Sequence, residues 1–208
     1  MTDDKTPQAP DALAVFVDTG STPDCFELHE RGIVRQQDGE RYYTAFADIS
    51  DLYLSAPGPQ AGPDGIDRFA YRSRAEPGWT LVPGDIAEFP RFMDAFRSRL
   101  VDQRLPVLEA RLADGAKVAF RTLDGGDFPD LTTRELALSA EGLHIGADTW
   151  PYESLQRIDL NDWTETVSLR TDDGATVFSC PAARILSSDL FVNLVYDRLG
   201  ETAQAASA

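Results

Sequence analysis

Three aspartates spaced three residues apart are the side chains best placed to do chemistry. They are Asp124, Asp127 and Asp130, in the segment DGGDFPD. Carboxylate oxygens in a short loop are ligands that Ca²⁺ accepts. The segment lacks the EF-hand pattern of alternating acids, a central glycine and a distal glutamate, so a polar turn is the stronger interpretation. We therefore predict no metal site and no cofactor.

The histidines and cysteines give no catalytic pattern. His29 follows Leu28 in an apolar run, and His144 lies in GLHIG. No serine occupies a GxSxG elbow, and neither Cys25 nor Cys180 belongs to a CxxC motif or a Cys/His cluster. We predict ordinary surface or strand histidines, buried free thiols and no enzymatic activity. A hydrolase built on either histidine is an alternative that requires a nearby nucleophile or metal.

Charge narrows the class of partner. The net charge is −16 and the pI is near 4.4, which disfavours nucleic acid and anionic membrane surfaces. A basic protein partner is compatible with it. The first ten residues are polar and acidic, and no apolar run reaches the roughly 18 residues of a membrane span. These features predict a cytoplasmic protein with no transmembrane segment.

The chain contains an internal repeat. A shift of 106 residues aligns Phe46 with Tyr152 and Ile49 with Leu155, within AFADISDLYL and PYESLQRIDL. A shift of 110 aligns Gly32 with Gly142, and a shift of 99 aligns segment 79–100 with 178–199. The falling offset means that the first copy has longer loops, above all the Pro- and Gly-rich segment 55–65.

Each copy has the pattern of seven short strands and one helix. The predicted strands are 12–17, 25–30, 32–36, 42–46, 49–54, 66–73 and 79–82, then 117–123, 135–139, 143–146, 148–152, 155–160, 166–171 and 175–180. An amphipathic helix opens at Pro90 and is bent or broken at Pro106. A second follows Ser187 or Ser188 as N-cap. We place Trp79 and Trp150 in the core.

This order resembles the pleckstrin-homology (PH) fold, a mostly β sandwich or split barrel capped by a C-terminal α-helix. More narrowly, residues 12–199 are similar to an uncharacterised bacterial family with tandem PH-like domains. The segments that carry the resemblance are HERGIVRQ, AFADI, LEARLADGAKVAF, AEGLHI and DTWPYESLQRIDL. It implies PH-like domains at 11–105 and 106–199, with a disordered N-terminus at 1–10 and a flexible tail at 200–208.

Phosphoinositide binding, the best-known activity of the PH fold, is not expected here. That activity places Lys and Arg on the first two strands and their loop, whereas the loops at 18–24 and 124–130 carry aspartates and neither Lys nor Arg. Lys117 and Arg121 precede the second loop, but its carboxylates would repel a phosphate.

Two further features bear on binding. Seven arginines lie between residues 68 and 104. They form either a basic patch for an acidic partner or for the second copy, or a solvated face on which they pair with Asp94, Asp102 and neighbouring carboxylates; we favour the solvated face. Trp163, in the turn LNDWTET, is either an interface residue or packed against a neighbouring strand. We predict a partner-binding surface made of Trp163, Asp124, Asp127, Asp130 and Asp162.

Together these features predict a non-enzymatic protein-binding or scaffolding module. We expect it to dock a basic partner, with a groove between its two copies as the candidate surface. The alternative is a small-molecule or lipid-binding protein with a pocket in or between the two domains.

Overall fold

A computed structural model describes residues 12–17, 25–55, 68–161 and 166–205, apart from the side chains of 156–161 and 201–205. Within these residues the protein is mostly β, with 46% of them in strands, four sheets and two α-helices, one of them C-terminal. The first half contains β1 (Ala14–Val17), β2 (Cys25–Leu28), β3 (Gly32–Gln37), β4 (Glu40–Ala45), a 3-10 turn (Phe46–Asp48), β5 (Ile49–Leu54), β6 (Phe69–Ser73), β7 (Thr80–Val82) and α1 (Phe89–Ala113).

The second half follows the same order. It contains β8 (Val118–Gly125), β9 (Thr132–Ser139), β10 (Gly142–Ile145), β11 (Asp148–Trp150), a 3-10 turn (Tyr152–Ser154), β12 (Leu155–Asn161), β13 (Thr166–Thr171), β14 (Thr176–Pro181), a 3-10 turn (Ala182–Arg184), β15 (Ile185–Leu186) and α2 (Ser188–Ala205). Each half thus has an antiparallel meander of four strands and another of three, β1–β4 and β5–β7 followed by β8–β11 and β12–β14, with β15 added beside β8.

The repeat extends to irregular backbone features. The 3-10 turns at 46–48 and 152–154 occur at the predicted shift of 106 residues. The strand register then slips between Ile49 and Asp51 in β5, and between Leu155 and Arg157 in β12, at the same shift. These coincidences confirm the aligned positions, because bulges and turns are specified locally by the chain.

The start of each helix repeats as well. Glu88 and Ser187 precede α1 and α2 with left-handed φ values of 58° and 56°, although neither is glycine. Their carbonyls accept the N–H groups of Phe92 and Phe191, and both phenylalanines are fully buried. The two helix starts are 99 residues apart, which is the shift predicted from the sequence.

The core of the first half forms where α1 closes its two sheets. Phe92 and Phe96 contact aromatic rings of the sheets edge-on, with ring centroids 5.2 Å apart for Phe16–Phe92 and 5.0 Å for Phe69–Phe96. Farther along the same helix, Leu108 and Leu112 belong to one continuous apolar cluster with Val118 of the second half. The two halves therefore share a core rather than meeting only at their surfaces.

α1 does not break at Pro106, so of the two predicted alternatives, a bend or a break, the break is wrong. The helix is a single element of 25 residues that includes Pro106, so the predicted boundary between residues 105 and 106 falls inside it. Interior proline costs about 3 kcal/mol, because it removes one backbone hydrogen bond. Burial of the apolar side chains of Leu100, Leu108 and Leu112 on both sides of the proline offsets this cost.

Other expectations need smaller corrections. The predicted tail from residue 200 begins as helix, since α2 continues to Ala205. The two-residue strand β15 was not predicted, and Trp79 and Trp150 are half-buried rather than fully enclosed. Within the part of the chain that the structure describes, neither helix is both long and apolar enough to cross a bilayer.

Candidate docking site

The halves are joined by an ion-pair cluster around Asp51 of β5. This residue is 4% exposed, and its carboxylate accepts hydrogen bonds from two guanidinium groups, one from each half. Arg72 Nε lies 2.7 Å from Oδ2, and Arg121 Nη1 lies 2.9 Å from Oδ1. Because a buried carboxylate is stable only when paired, this cluster fixes how the two halves are placed relative to each other.

An aromatic cluster lies beside the ion pairs. Phe128, in the loop between β8 and β9, stacks on Tyr53 of the first half, with ring centroids 5.2 Å apart and planes 17° apart. Trp79 lies 5.8 Å from Phe128, and the Arg72 guanidinium lies 4.6 Å above the Trp79 ring. The acidic loop between β8 and β9 thus anchors the second half to the first through Phe128.

The predicted site residues do not all fall within the described chain. Asp124 pairs with Arg134 of the adjacent strand at 2.9 Å, and Asp127 and Asp130 are exposed on either side of Phe128. The three aspartates therefore lie close together in one segment, and their partner-binding role stays a prediction. Asp162 and Trp163 lie outside the described residues.

The predicted arginine cluster divides between the two interpretations. Arg97 of α1 forms a bidentate ion pair with Asp189 of α2, with both N–O distances 2.7 Å. Arg97 and Arg72 therefore serve the contact between the two halves. Arg91 instead pairs with Glu88 on an exposed turn, as the solvated-face interpretation expects.

A groove runs between α1 and α2, beside the Arg97–Asp189 pair. It has a volume of about 290 Å³ and is lined by Asp94, Arg97, Ser98, Val101, Asp102, Asp189 and Asn193. Asp94, Ser98 and Asp102 recur every four residues along α1, so the two outer carboxylates lie about 12 Å apart along the helix axis. The groove therefore holds three carboxylates, from Asp94, Asp102 and Asp189, and one guanidinium group, from Arg97. Asp189 already binds that guanidinium group.

This lining can hold cationic side chains and is too open to enclose a reaction. Asp94 and Asp102 are exposed carboxylates, and Val101 adds apolar surface between them. From the sequence, these two aspartates were expected only as ion-pair partners of arginines, and Asp189 was not expected to take part. The spacing of Asp94 and Asp102 on one helix was the sequence signal that could have indicated an acidic groove. The part of the groove that α2 supplies could be found only from the tertiary structure.

Among the described residues, the hydrogen bonds around His144 are the arrangement that most resembles a catalytic group. Its Nε2 lies 2.8 Å from Ser139 Oγ, and its Nδ1 lies 2.9 Å from Thr149 Oγ1, across three neighbouring strands. A serine hydroxyl that donates to a histidine oriented by a third group resembles a nucleophile and its base. Ser139 Oγ also accepts a hydrogen bond from the Glu141 N–H, and the three side chains lie on an open sheet surface. The simpler role of these side chains is therefore to link neighbouring strands by hydrogen bonds.

His29 is buried rather than surface-exposed. It is 2% exposed, and its Nε2 lies 3.2 Å from Glu27 Oε2, which also accepts a hydrogen bond from Arg41. Neither histidine joins a cluster of three or more potential metal ligands within the described residues. Cys180 is half-buried, and burial raises the pKa of its thiol.

The edge strand β1 presents a different surface, which is aliphatic. Leu13, Val15 and Val17 are 56%, 56% and 46% exposed and alternate along the strand. Exposed aliphatic rows often mark contact surfaces. Within the described residues this row is aliphatic and carries no charge that would select a class of partner.

Comparisons with known proteins give no match: no family model matches the chain, and no curated protein matches it.

Proposed function

We propose that this protein is a non-enzymatic docking module that holds a basic segment of a protein partner in the groove between α1 and α2. The observation that carries the proposal is the groove itself, where Asp94, Asp102 and Asp189 outnumber Arg97. A helix that presents lysine or arginine on one face matches this lining. Its cationic ends would pair with the carboxylates while its methylene groups cover Val101.

Electrostatics sets how such a complex should behave. An exposed ion pair contributes only about 0.2–1 kcal/mol, so two or three pairs give weak binding unless apolar contacts add to them. The net charge of −16 acts at longer range and would accelerate encounter with a cationic partner. The complex should therefore form rapidly and dissociate as ionic strength rises.

The duplicated fold supports a binding role by analogy only. We propose that the halves are two tandem PH-like domains, because each has the strand order and closing helix of that fold. The alternative of a small-molecule or lipid-binding protein has less support, since the groove is open and no larger than the smallest usual ligand pockets. Both cysteines are thiols outside any disulfide, which is consistent with a reducing compartment, and we place the protein in the cytoplasm.

The test compares two matched double variants of the full chain. Asp94→Asn with Asp102→Asn removes two carboxylates from the groove, and Asp127→Asn with Asp130→Asn removes two from the acidic loop. The probe is a fluorescent amphipathic helical peptide with lysines on one face, compared with its glutamate counterpart. Affinity is measured by fluorescence anisotropy at two ionic strengths of sodium gluconate, about threefold above and about threefold below the physiological value.

We expect the lysine peptide alone to bind, and to bind at least roughly tenfold more weakly at the higher ionic strength. The groove variant should weaken binding about five- to tenfold, and the loop variant less than about twofold. Equal losses in both variants would mean that net charge, not the groove, attracts the peptide. Loss in the loop variant alone would transfer the site to residues 124–130.

A further inference from the structure

A small cavity lies at the junction of the two halves, apart from the groove. Its volume is about 20 Å³, and its polar lining residues are Ser50, Asp51, Arg104 and Ser187. Apolar side chains of α1, β8, β15 and α2 complete the wall: Leu108, Val118, Phe120, Leu186 and Leu190. A space of about 10–15 Å³ is enough for a ligand the size of a water molecule, so this cavity has room for one small species.

Arg104 leaves one donor without a protein partner in this region. The residue is 5% exposed, and its Nη1 donates to the Ala47 carbonyl at 2.8 Å, while its buried Nε has no hydrogen-bond partner among the described residues. Burial, together with repulsion from Arg74 and Arg111, lowers the pKa of Arg104 to about 10. An unpaired N–H on a buried cation is costly, so a ligand that accepts from it would be held firmly.

The other groups around the cavity are also donors. Ser187 Oγ accepts the Leu52 N–H at 2.9 Å, which leaves its own hydroxyl hydrogen to donate. The residue directly precedes α2, whose first hydrogen bond runs from Phe191 N to Ser187 O. The N–H groups of the first turn therefore lack partners within the helix and place its positive end beside the cavity.

Charge in the cavity wall favours an anion. Asp51 is the one carboxylate among the residues that line it, and that carboxylate already accepts three hydrogen bonds from Arg72 and Arg121. Arg104, Arg72 and Arg121 place three guanidinium groups against the two nearby carboxylates of Asp48 and Asp51, and the N-terminus of α2 adds to this positive potential. Water would satisfy the unpaired Nε without balancing the excess charge.

We propose that the cavity binds a single monatomic anion of chloride size, held by Arg104 Nε and the Ser187 hydroxyl. The small size of the cavity favours a monatomic ion over the larger sulfate or phosphate. The ion would stabilise the junction, because its ligands come from α1 in the first half and from the start of α2 in the second.

Thermal unfolding of the full chain measures this effect. Sodium chloride is compared with sodium gluconate at equal ionic strength, so that screening is constant and only the halide differs. At a chloride concentration about thirty times the dissociation constant, linkage raises the midpoint by about 4–8 °C. Arg104→Gln should abolish the difference, and Arg91→Gln, an exposed arginine on the same helix, should retain it.

Crystals grown in sodium bromide provide a test that does not depend on a variant folding. Anomalous scattering should show a bromide within about 3.5 Å of Arg104 Nε, as expected for a halide that accepts its hydrogen bond. A water molecule at that position with no anomalous signal would overturn the proposal. So would equal midpoints in chloride and gluconate, or a halide response of equal size in the Arg104→Gln and Arg91→Gln variants.

Discussion

Replacement of Asp51 by asparagine should loosen the junction between the halves. The substitution keeps the shape and one acceptor oxygen but removes the charge that Arg72 and Arg121 share. Loss of one partner from a buried ion pair costs about 3–5 kcal/mol. The two arginine side chains remain 25% and 45% exposed, so water can partly resolvate them, and we expect about 2–3 kcal/mol.

Urea unfolding followed by far-ultraviolet circular dichroism and by tryptophan fluorescence measures this loss. Trp79 reports on the junction directly, because Arg72 lies over its ring. Glu135→Gln is the matched control, since it removes a carboxylate from an exposed pair with Lys117 and should cost less than about 0.5 kcal/mol. If Asp51→Asn costs no more than this control, Asp51 does not hold the halves together as we infer.

Two further predictions concern the junction loop and two buried tyrosines. Phe128→Ala should cost about 1–2 kcal/mol, less than a fully buried phenylalanine, because the Phe128 ring is only half-buried where it packs on Tyr53 and Trp79; equal stability of wild type and variant in urea would contradict that contact. Burial raises the pKa of Tyr71 and of Tyr152 to about 12, so the folded protein holds two protons that the unfolded chain releases near pH 10. Stability should therefore fall as pH rises from about 10 to 12, and tyrosinate absorbance should show at least two late-titrating groups, Tyr71 and Tyr152; titration of every tyrosine near pH 10 would refute this.

The elements of each half were predictable because they depend on local pattern. Strand β5 was predicted at its observed bounds, 49–54, from alternation within six residues. The shift of 106 residues correctly aligned Phe46 with Tyr152, which begin the two matching 3-10 turns, although the turns themselves were not predicted. Local rules carry over from one copy to the other because both copies close a core with the same strand order.

The junction and the groove were not predictable in the same way. Asp51 meets Arg121 across 70 residues, and Leu52 meets Ser187 across 135. Such contacts depend on how two folded halves pack, which no periodicity within either half specifies. Pro106 shows the same limit, since its local preference predicts a bend or a break, whereas burial of the flanking turns keeps the helix continuous.

The asymmetry of the junction limits how many copies of this fold can join. Its contact is head-to-tail: β5 of one half meets the start of the next half, a geometry that could add units indefinitely as a filament. The shift of 110 residues aligns Cys25 with Glu135, and these two residues pair with Val17 and Arg121 respectively, so Val17 is the counterpart of Arg121 in the first half. In the second half, the shift of 106 residues makes Arg157 the counterpart of Asp51. Thus neither charge of the ion pair recurs at the outer ends, and the pairing that joins the two halves cannot propagate from one molecule to the next.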